Sequence, residues 1–224
     1  MGLALTIEGL TVRGDDGRTL LDIPSFSMAG GEALAIRGPS GAGKTTFLMA
    51  LAGLVPCSGR LLWGDTDIAA LSDAARARLR RDTLGLVFQD PNLFEELGPL
   101  DNAALAASFG PRNTRATLRT RAESLLDRFG IKADNRAAGS HSGGERQRIA
   151  VARALATNPL VLLADEPTAS LDRATGEALI EDLFTEASTA GRTLVAVSHD
   201  EALLARAPRV ITLIGGRIAE AARA

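Results

Sequence analysis

Eight residues constrain this chain more than all the rest. Gly38, Pro39, Ser40, Gly41, Ala42, Gly43, Lys44 and Thr45 fit the pattern G-x-x-x-x-G-K-[ST], a loop that cradles phosphates. A polyphosphate needs several backbone N–H groups converging on it, and only a glycine-rich turn brings the backbone that close. Lys44 adds a point charge, and the Thr45 hydroxyl is placed to ligate Mg²⁺. The flanks agree with this reading. Glu32–Ile36 reads as a buried strand before the loop. Thr45–Ala52, with Thr46 in its first turn, reads as a helix whose positive end faces the phosphates.

The rest of the chain alternates strand-like and helical runs, which predicts an α/β fold with a mostly parallel sheet. Leu3–Val12 and Leu20–Met28 read as early strands, and Arg60–Trp63 as a short one. Ser72–Arg81 reads as a charged helix capped by Ser72. Leu84–Gln89, Leu160–Ala164 and Thr193–Ser198 are apolar throughout, as strands covered on both faces should be. Val210–Ile214 and Arg217–Glu220 straddle Gly215 and Gly216, a hairpin signal. Between Asp90 and Asn158 strand signals vanish. Arginine-rich helical stretches, Thr114–Phe129 and Glu145–Ala156, replace them and read as a helical insertion.

Composition limits the function classes. With 224 residues, the chain suits one domain with a substantial core. A net charge of −2 supplies no broad basic field for nucleic acid. Cys57 is the only cysteine, so neither an internal disulfide nor a cysteine metal site is expected. No apolar run is long enough for a membrane helix, and the N-terminus lacks a signal-peptide pattern. Met1–Thr6 fits a myristoylation pattern, but Leu3, Leu5 and Ile7 alternate as a strand would and no basic patch supplies a second anchor; lipidation is not expected.

Two further segments carry chemistry. Val161–Asp165 is an apolar strand that ends in Asp165 and Glu166. A buried strand has no use for paired acids at its tip, whereas a Mg–nucleotide site does. Asp165 would hold the ion directly or through water, and Glu166 would accept a hydrogen bond from an attacking water. Ser142, Gly143, Gly144 and Glu145 form a capping box ahead of a helix. Its two glycines leave N–H groups bare at the helix's positive end, a second anion site. Two phosphate sites in one chain suggest two chains sharing each nucleotide. His199, at the carboxyl end of a buried strand, stands where α/β proteins bind ligands.

These motifs, in this order, resemble the nucleotide-binding subunit of an ATP-binding cassette transporter over nearly the whole chain. Gly38–Thr45 matches Walker A, Gln89 the Q-loop, and Ser142–Glu145 the signature motif. Asp165 with Glu166 matches Walker B and its catalytic glutamate, Ser170-Leu171-Asp172 the D-loop, and His199 the switch histidine. Gly143–Arg148 and Leu162–Thr168 resemble the branch of lipoprotein-release, macrolide-export and cell-division ATPases.

The resemblance implies a RecA-like P-loop NTPase core with an antiparallel β subdomain and an inserted helical subdomain. Core and β subdomain would span 1–89 and 158–224, and the helical subdomain 90–157. It implies ATP and Mg²⁺ as ligands, a homodimer or paired cassette, and a membrane permease partner on the cytoplasmic face of the inner membrane. Gly38–Thr46 and Lys44 would hold one nucleotide, and Ser142 and Gly144 would reach the γ-phosphate bound by the other chain. Asp172 would join the two sites. Thr45, Gln89 and Asp165 would serve Mg²⁺, while Glu166 and His199 would act at the γ-phosphate. An alternative is a regulatory ATPase that signals to a membrane partner without moving a solute. A soluble ATPase of DNA repair or translation ranks last, since the chain is acidic and lacks long coiled-coil insertions or tandem cassettes. A generic P-loop kinase would have no use for Ser142–Glu145.

Three places depart from the family pattern or stay open. The family stacks adenine on an aromatic residue between its first two strands, but the chain has no tyrosine and Leu10–Gly17 offers no aromatic. Arg13 laid on the base, or Val12 packed against it, is the expected substitute. His141 stands where the family has leucine and reads as tolerated variation. Leu93, Phe94 and Leu97 either pack within the helical block or line a groove for a permease helix.

Overall fold

A computed structural model describes residues 1–110, 112–134 and 136–223, the side chains of 220–223 excepted. Strands β1 (Leu5–Arg13), β2 (Thr19–Met28), β4 (Ser58–Trp63) and β5 (Thr66–Asp67) form an antiparallel sheet in the order β2-β1-β4-β5. Strands β3 (Ala33–Arg37), β6 (Leu84–Val87), β7 (Val161–Asp165), β8 (Thr193–Val197), β9 (Arg209–Ile214) and β10 (Arg217–Arg223) form the second, in the order β10-β9-β3-β8-β7-β6. Every neighbouring pair in it is parallel except β9–β10, the hairpin around Gly215 and Gly216.

The all-apolar strands are explained by what lies on each face. In β7, Val161 and Leu163 join one core cluster and Leu162 and Ala164 the other; in β8, Val195 and Val197 split the same way from Leu194 and Ala196. One cluster gathers the antiparallel sheet and helix α1 (Lys44–Leu51), through Phe47, Leu48, Ala50 and Leu51. The other gathers α4 (Arg115–Arg128), α5 (Gly143–Ala156) and α6 (Arg173–Thr189). Both faces of the parallel sheet are therefore sealed, and chemistry is left to the loops at its carboxyl edge.

Between β6 and β7 the described residues contain α3 (Pro99–Ala103), α4 and α5, and no strand. The segment entering this block is pinned by a buried asparagine. Asn102 accepts from the Phe94 amide at 2.9 Å and donates to the carbonyls of Phe94, Leu97 and Gly98. Helix α2 (Asp73–Thr83) lies outside the core with no buried residue, capped by Ser72. Among the described residues no helix is long and apolar enough to cross a membrane.

Candidate functional site

The phosphate loop is shaped by close approach. At Gly38 a Cβ would sit 2.1 Å from the Leu213 carbonyl oxygen, so any side chain there would collide with β9. Gly43 has φ 95°, which favours glycine, and begins α1 without a side-chain cap, leaving the first N–H groups of the helix bare. Lys44 Nζ donates to the carbonyls of Gly38 and Pro39, at 2.8 and 3.1 Å. The ammonium is thus folded back over the loop it would share with a phosphate.

A cavity of about 630 Å³ opens over this loop. Gly38, Ser40, Gly41, Ala42, Gly43, Lys44, Thr45 and Thr46 form its floor. Gln89 follows β6, Asp165 ends β7, Glu166 is the next residue, and His199 lies just past β8; all four reach the same space. Parallel strands 33–37, 161–165 and 193–197 end together, and this is what assembles residues over 160 positions apart in the chain.

Asp165 is 6% exposed and lines the cavity together with Thr45. Burial pushes its carboxyl above the ordinary value; Thr45 and Lys44 oppose the rise and Glu166 adds to it. Its Oδ1 is buried and has no partner. A hydroxyl beside an unsatisfied buried carboxylate oxygen is a donor set suited to Mg²⁺, which prefers oxygen ligands and completes its shell with water and phosphate. The described residues hold no cluster of three or more His, Cys, Asp or Glu that would bind a metal unaided.

Glu166 is the strained residue of the site. It has φ 45°, in the left-handed region, at a cost of about 1–3 kcal/mol. That turn, held by its N–H on the Val197 carbonyl at 2.9 Å, aims the carboxylate across to β8. There it accepts from Ser198 Oγ at 3.2 Å and the His199 amide at 3.4 Å, and pairs with His199 Nδ1 at 2.9 Å. Ser198 Oγ in turn accepts from the Asp200 amide, and Asp200 accepts from the Thr168 hydroxyl at 2.9 Å. Ser198 is fully buried while the His199 side chain is 78% exposed. One end of this chain of bonds is locked, and the imidazole is free to meet a ligand. Sequence reasoning missed Ser198, Thr168 and Asp200; the hydroxyls beside the two motifs were the available signal.

Gln89 is positioned from behind. Buried Gln147 of α5 donates to the Phe88 carbonyl at 3.2 Å. Arg153, also of α5, donates to the Pro91 and Asn92 carbonyls, both at 2.6 Å. The loop that carries Gln89 is thereby tied to the helix that begins with the signature residues. Beyond it, Leu93 packs against the core cluster, Leu97 is half-buried, and Phe94 is 52% exposed. Of the two readings of this segment, packing suits Leu93 and a groove position suits Phe94.

Ser142, Gly143, Gly144, Glu145 and Asp172 do not line the cavity. Ser142 caps α5: its Oγ accepts from the Glu145 amide at 3.2 Å, and Glu145 Oε2 accepts from the Ser142 amide at 2.8 Å. These bonds hold the Glu145 carboxyl below its usual range. Asp172 caps α6, accepting from the Thr175 amide at 3.1 Å, and the Thr175 bonds lower its carboxyl likewise. The two caps adjoin: a Cβ on Gly144 would lie 2.9 Å from Leu171 Cδ2, and one on Gly143 would lie 3.7 Å from Ser170 Cβ. Neither glycine has a positive φ.

The base-facing expectation is corrected. Val12 is 2% exposed, inside the antiparallel core, and Arg13 lies off the cavity with its guanidinium on the Gly17 carbonyl at 3.4 Å. The alternation of β1 decides this, since its inward positions feed the core. Arg18, Thr19 and Leu20 reach the cavity instead, with Gly215 and Gly216. Leu20 is fixed closely: a Cβ on Gly216 would lie 2.4 Å from its carbonyl oxygen.

Comparison with known proteins matches residues 21–169 to the model of the family described as ABC transporter. The chain is 43% identical to the macrolide export ATP-binding/permease protein MacB of Rhodospirillum rubrum, over 89% of this chain and 31% of that one. The chain thus spans under a third of the length of that relative. It is 42% identical to the lipoprotein-releasing system ATP-binding protein LolD of Myxococcus xanthus, over 88% of each chain. A dimeric structure of the ATP-binding cassette MJ0796, in a post-hydrolysis state bound to ADP and Pi, superposes with a TM-score of 0.89 at 31% identity, covering 98% of both chains.

Proposed function

From the premise that this chain belongs to the ABC transporter family, we propose how it performs the family's ATP-driven work. The chain is an ATP-binding and ATP-hydrolysing subunit of a transporter, built as an α/β cassette. One observation carries the residue-level reading: the phosphate loop, Gln89, Asp165, Glu166 and His199 share one cavity, while the equally well-built Ser142–Glu145 tip lies outside it.

In this reading Gly38–Thr46 bind the triphosphate through backbone N–H groups, and Lys44 leaves its loop carbonyls for the β- and γ-phosphates. Thr45 and Asp165, with Gln89 beside them, would hold Mg²⁺, which would supply charge neutralisation at the phosphates. Glu166 orients the attacking water, while His199 bonds the γ-phosphate. Positioning and electrostatics do the chemistry.

The second half of the site comes from a second copy. Gly143, the first residue of α5, meets nothing nearer than 3.7 Å where a Cβ would stand and needs no positive φ. Its bareness serves something that approaches from outside, and the γ-phosphate on the partner copy fits. Asp172, capping the adjacent helix, faces the same seam. Residues 90–157 act as a helical subdomain that moves with Gln89 through Gln147 and Arg153. Its exposed Phe94 offers an apolar contact to a permease, which holds the chain on the cytoplasmic face of the membrane. The relatives are named for export and lipoprotein release, so a transport role is favoured over a purely regulatory one, and no nucleic acid partner is proposed.

Glu166→Gln tests the reading. Turnover should fall by about 10²-fold or more while Mg-ATP drives a stable dimer, seen by sedimentation. A variant that binds nucleotide yet stays monomeric would overturn the shared site.

A further inference from the structure

The residue read as tolerated variation is wired into the signature tip. His141 is 8% exposed and stands one position before the Ser142 cap. Its Nδ1 lies 3.2 Å from Arg136 Nη2 and 3.7 Å from Glu145 Oε1. Arg136, from the preceding loop, and Glu145, from the first turn of α5, are the charged groups set against the ring among the described residues.

A guanidinium N–H can only donate. Its bond to Nδ1 therefore requires a lone pair there, which makes the ring neutral with its proton on Nε2. That Nε2 is buried and has no partner, so the tautomer is held at a cost. Adding a proton at Nδ1 removes the acceptor and sets two cations against each other. The new N–H then has Glu145 Oε1 as its nearest acceptor. Glu145 is already committed, since its Oε2 receives the Ser142 amide at 2.8 Å. Drawing the carboxylate toward the ring loosens the capping box that fixes Ser142, Gly143 and Gly144.

We propose that His141 is a positioning residue that makes the signature tip acid-sensitive: neutral, it leaves Glu145 to the cap, and protonated, it pulls Glu145 away and weakens ATP-driven pairing of two copies. The proposal rests on the shared-site reading above.

The test is sedimentation of Glu166→Gln protein with saturating Mg-ATP from pH 5.5 to 8.5, alone and combined with His141→Asn or Arg136→Ala. Asparagine keeps an acceptor for Arg136 and cannot gain a proton. The parent should lose about fivefold in dimer affinity toward the acid end, the top of the ordinary range for a charge at an exposed helix terminus. With His141→Asn that loss should shrink to under twofold. With Arg136→Ala the midpoint should move to higher pH, because the opposing cation is gone. A merely structural histidine would move none of these profiles relative to one another. Identical pH dependence in all three proteins overturns the latch alone; a parent that forms no dimer at any pH overturns the shared site and the latch with it.

Discussion

On the proposed reading the cavity over the phosphate loop and the tip at Ser142–Glu145 both take phosphate, yet they are finished differently. In the cavity, groups from strands and loops far apart in sequence converge, and Lys44, Glu166 and His199 already hold one another or the loop. At the tip, every bond is local: Ser142 with Glu145, Asp172 with Thr175. A Cβ on either of its glycines would meet only the neighbouring Ser170 and Leu171. In that reading the half wired by long-range contacts is assembled within one chain, whereas the half capped only by its own neighbours is the one offered to a second copy. The difference teaches which half of the chemistry a monomer can perform.

Lys44→Ala should break the comparison from the cavity side. It removes the one cation of the loop, so ATP hydrolysis should fall by about 10²–10³-fold. ATP binding by calorimetry should be lost with it. Gly143→Ala attacks the other side. The added methyl finds ordinary contact with Ser170, so the stability of the apo chain should stay within about 0.5 kcal/mol of native. Calorimetric ATP affinity of the monomer should stay native, while turnover falls by roughly tenfold through lost pairing. A Gly143→Ala protein with native turnover would mean that nothing docks on that face.

Asp165 sharpens the cavity side on a smaller scale. Burial raises its folded-state carboxyl above the unfolded value near 3.8. The folded chain therefore holds that proton more tightly, and the associated stability is present at low pH and lost as pH rises through the raised value. At neutral pH the apo chain carries a buried charge with one orphan oxygen. Asp165→Asn should raise the apo melting temperature by a few degrees, about 1 kcal/mol, in scans with EDTA. The gain should grow with pH across that window and then level off. The added stabilisation from Mg²⁺ over metal-free ATP should vanish in the same variant. A pH-independent gain would show that the carboxylate is not strained by burial.

What the sequence revealed follows the same division. The capping box at Ser142 and the phosphate loop are short patterns whose physics is local, so they could be read directly, as could the apolar strands Val161–Asp165 and Thr193–Val197. The hairpin at Gly215 and Gly216 was legible too, but not that those glycines reach the cavity. Contacts over long separations stayed hidden: Ser198 on Glu166, Gln147 on the Phe88 carbonyl. Nothing in the residues near them encodes the partner. The face of Arg13 was misjudged because the alternation of β1 puts Val12 inward, and the cavity is reached only after the turn, at Arg18.

Arg18 gives the smallest effect and the finest probe of the cavity. With no Phe, Tyr or Trp among its lining residues, the part of the cavity wall after β1 offers one guanidinium, Arg18, and the partly exposed Leu20. A planar cation over a base contributes about 0.5–1 kcal/mol at an exposed site, and it interacts with any purine face. The Leu20 backbone, clamped against Gly43 and Gly216, keeps the platform in place without the arginine. Arg18→Ala should therefore weaken ATP and GTP alike, by about two- to fivefold in calorimetry, and leave their ratio near one. Arg13→Ala should change neither affinity. Were Arg18→Ala to cost ATP far more than GTP, the guanidinium would be reading an edge of the base rather than covering its face, and the cavity wall would be selective in a way that stacking is not.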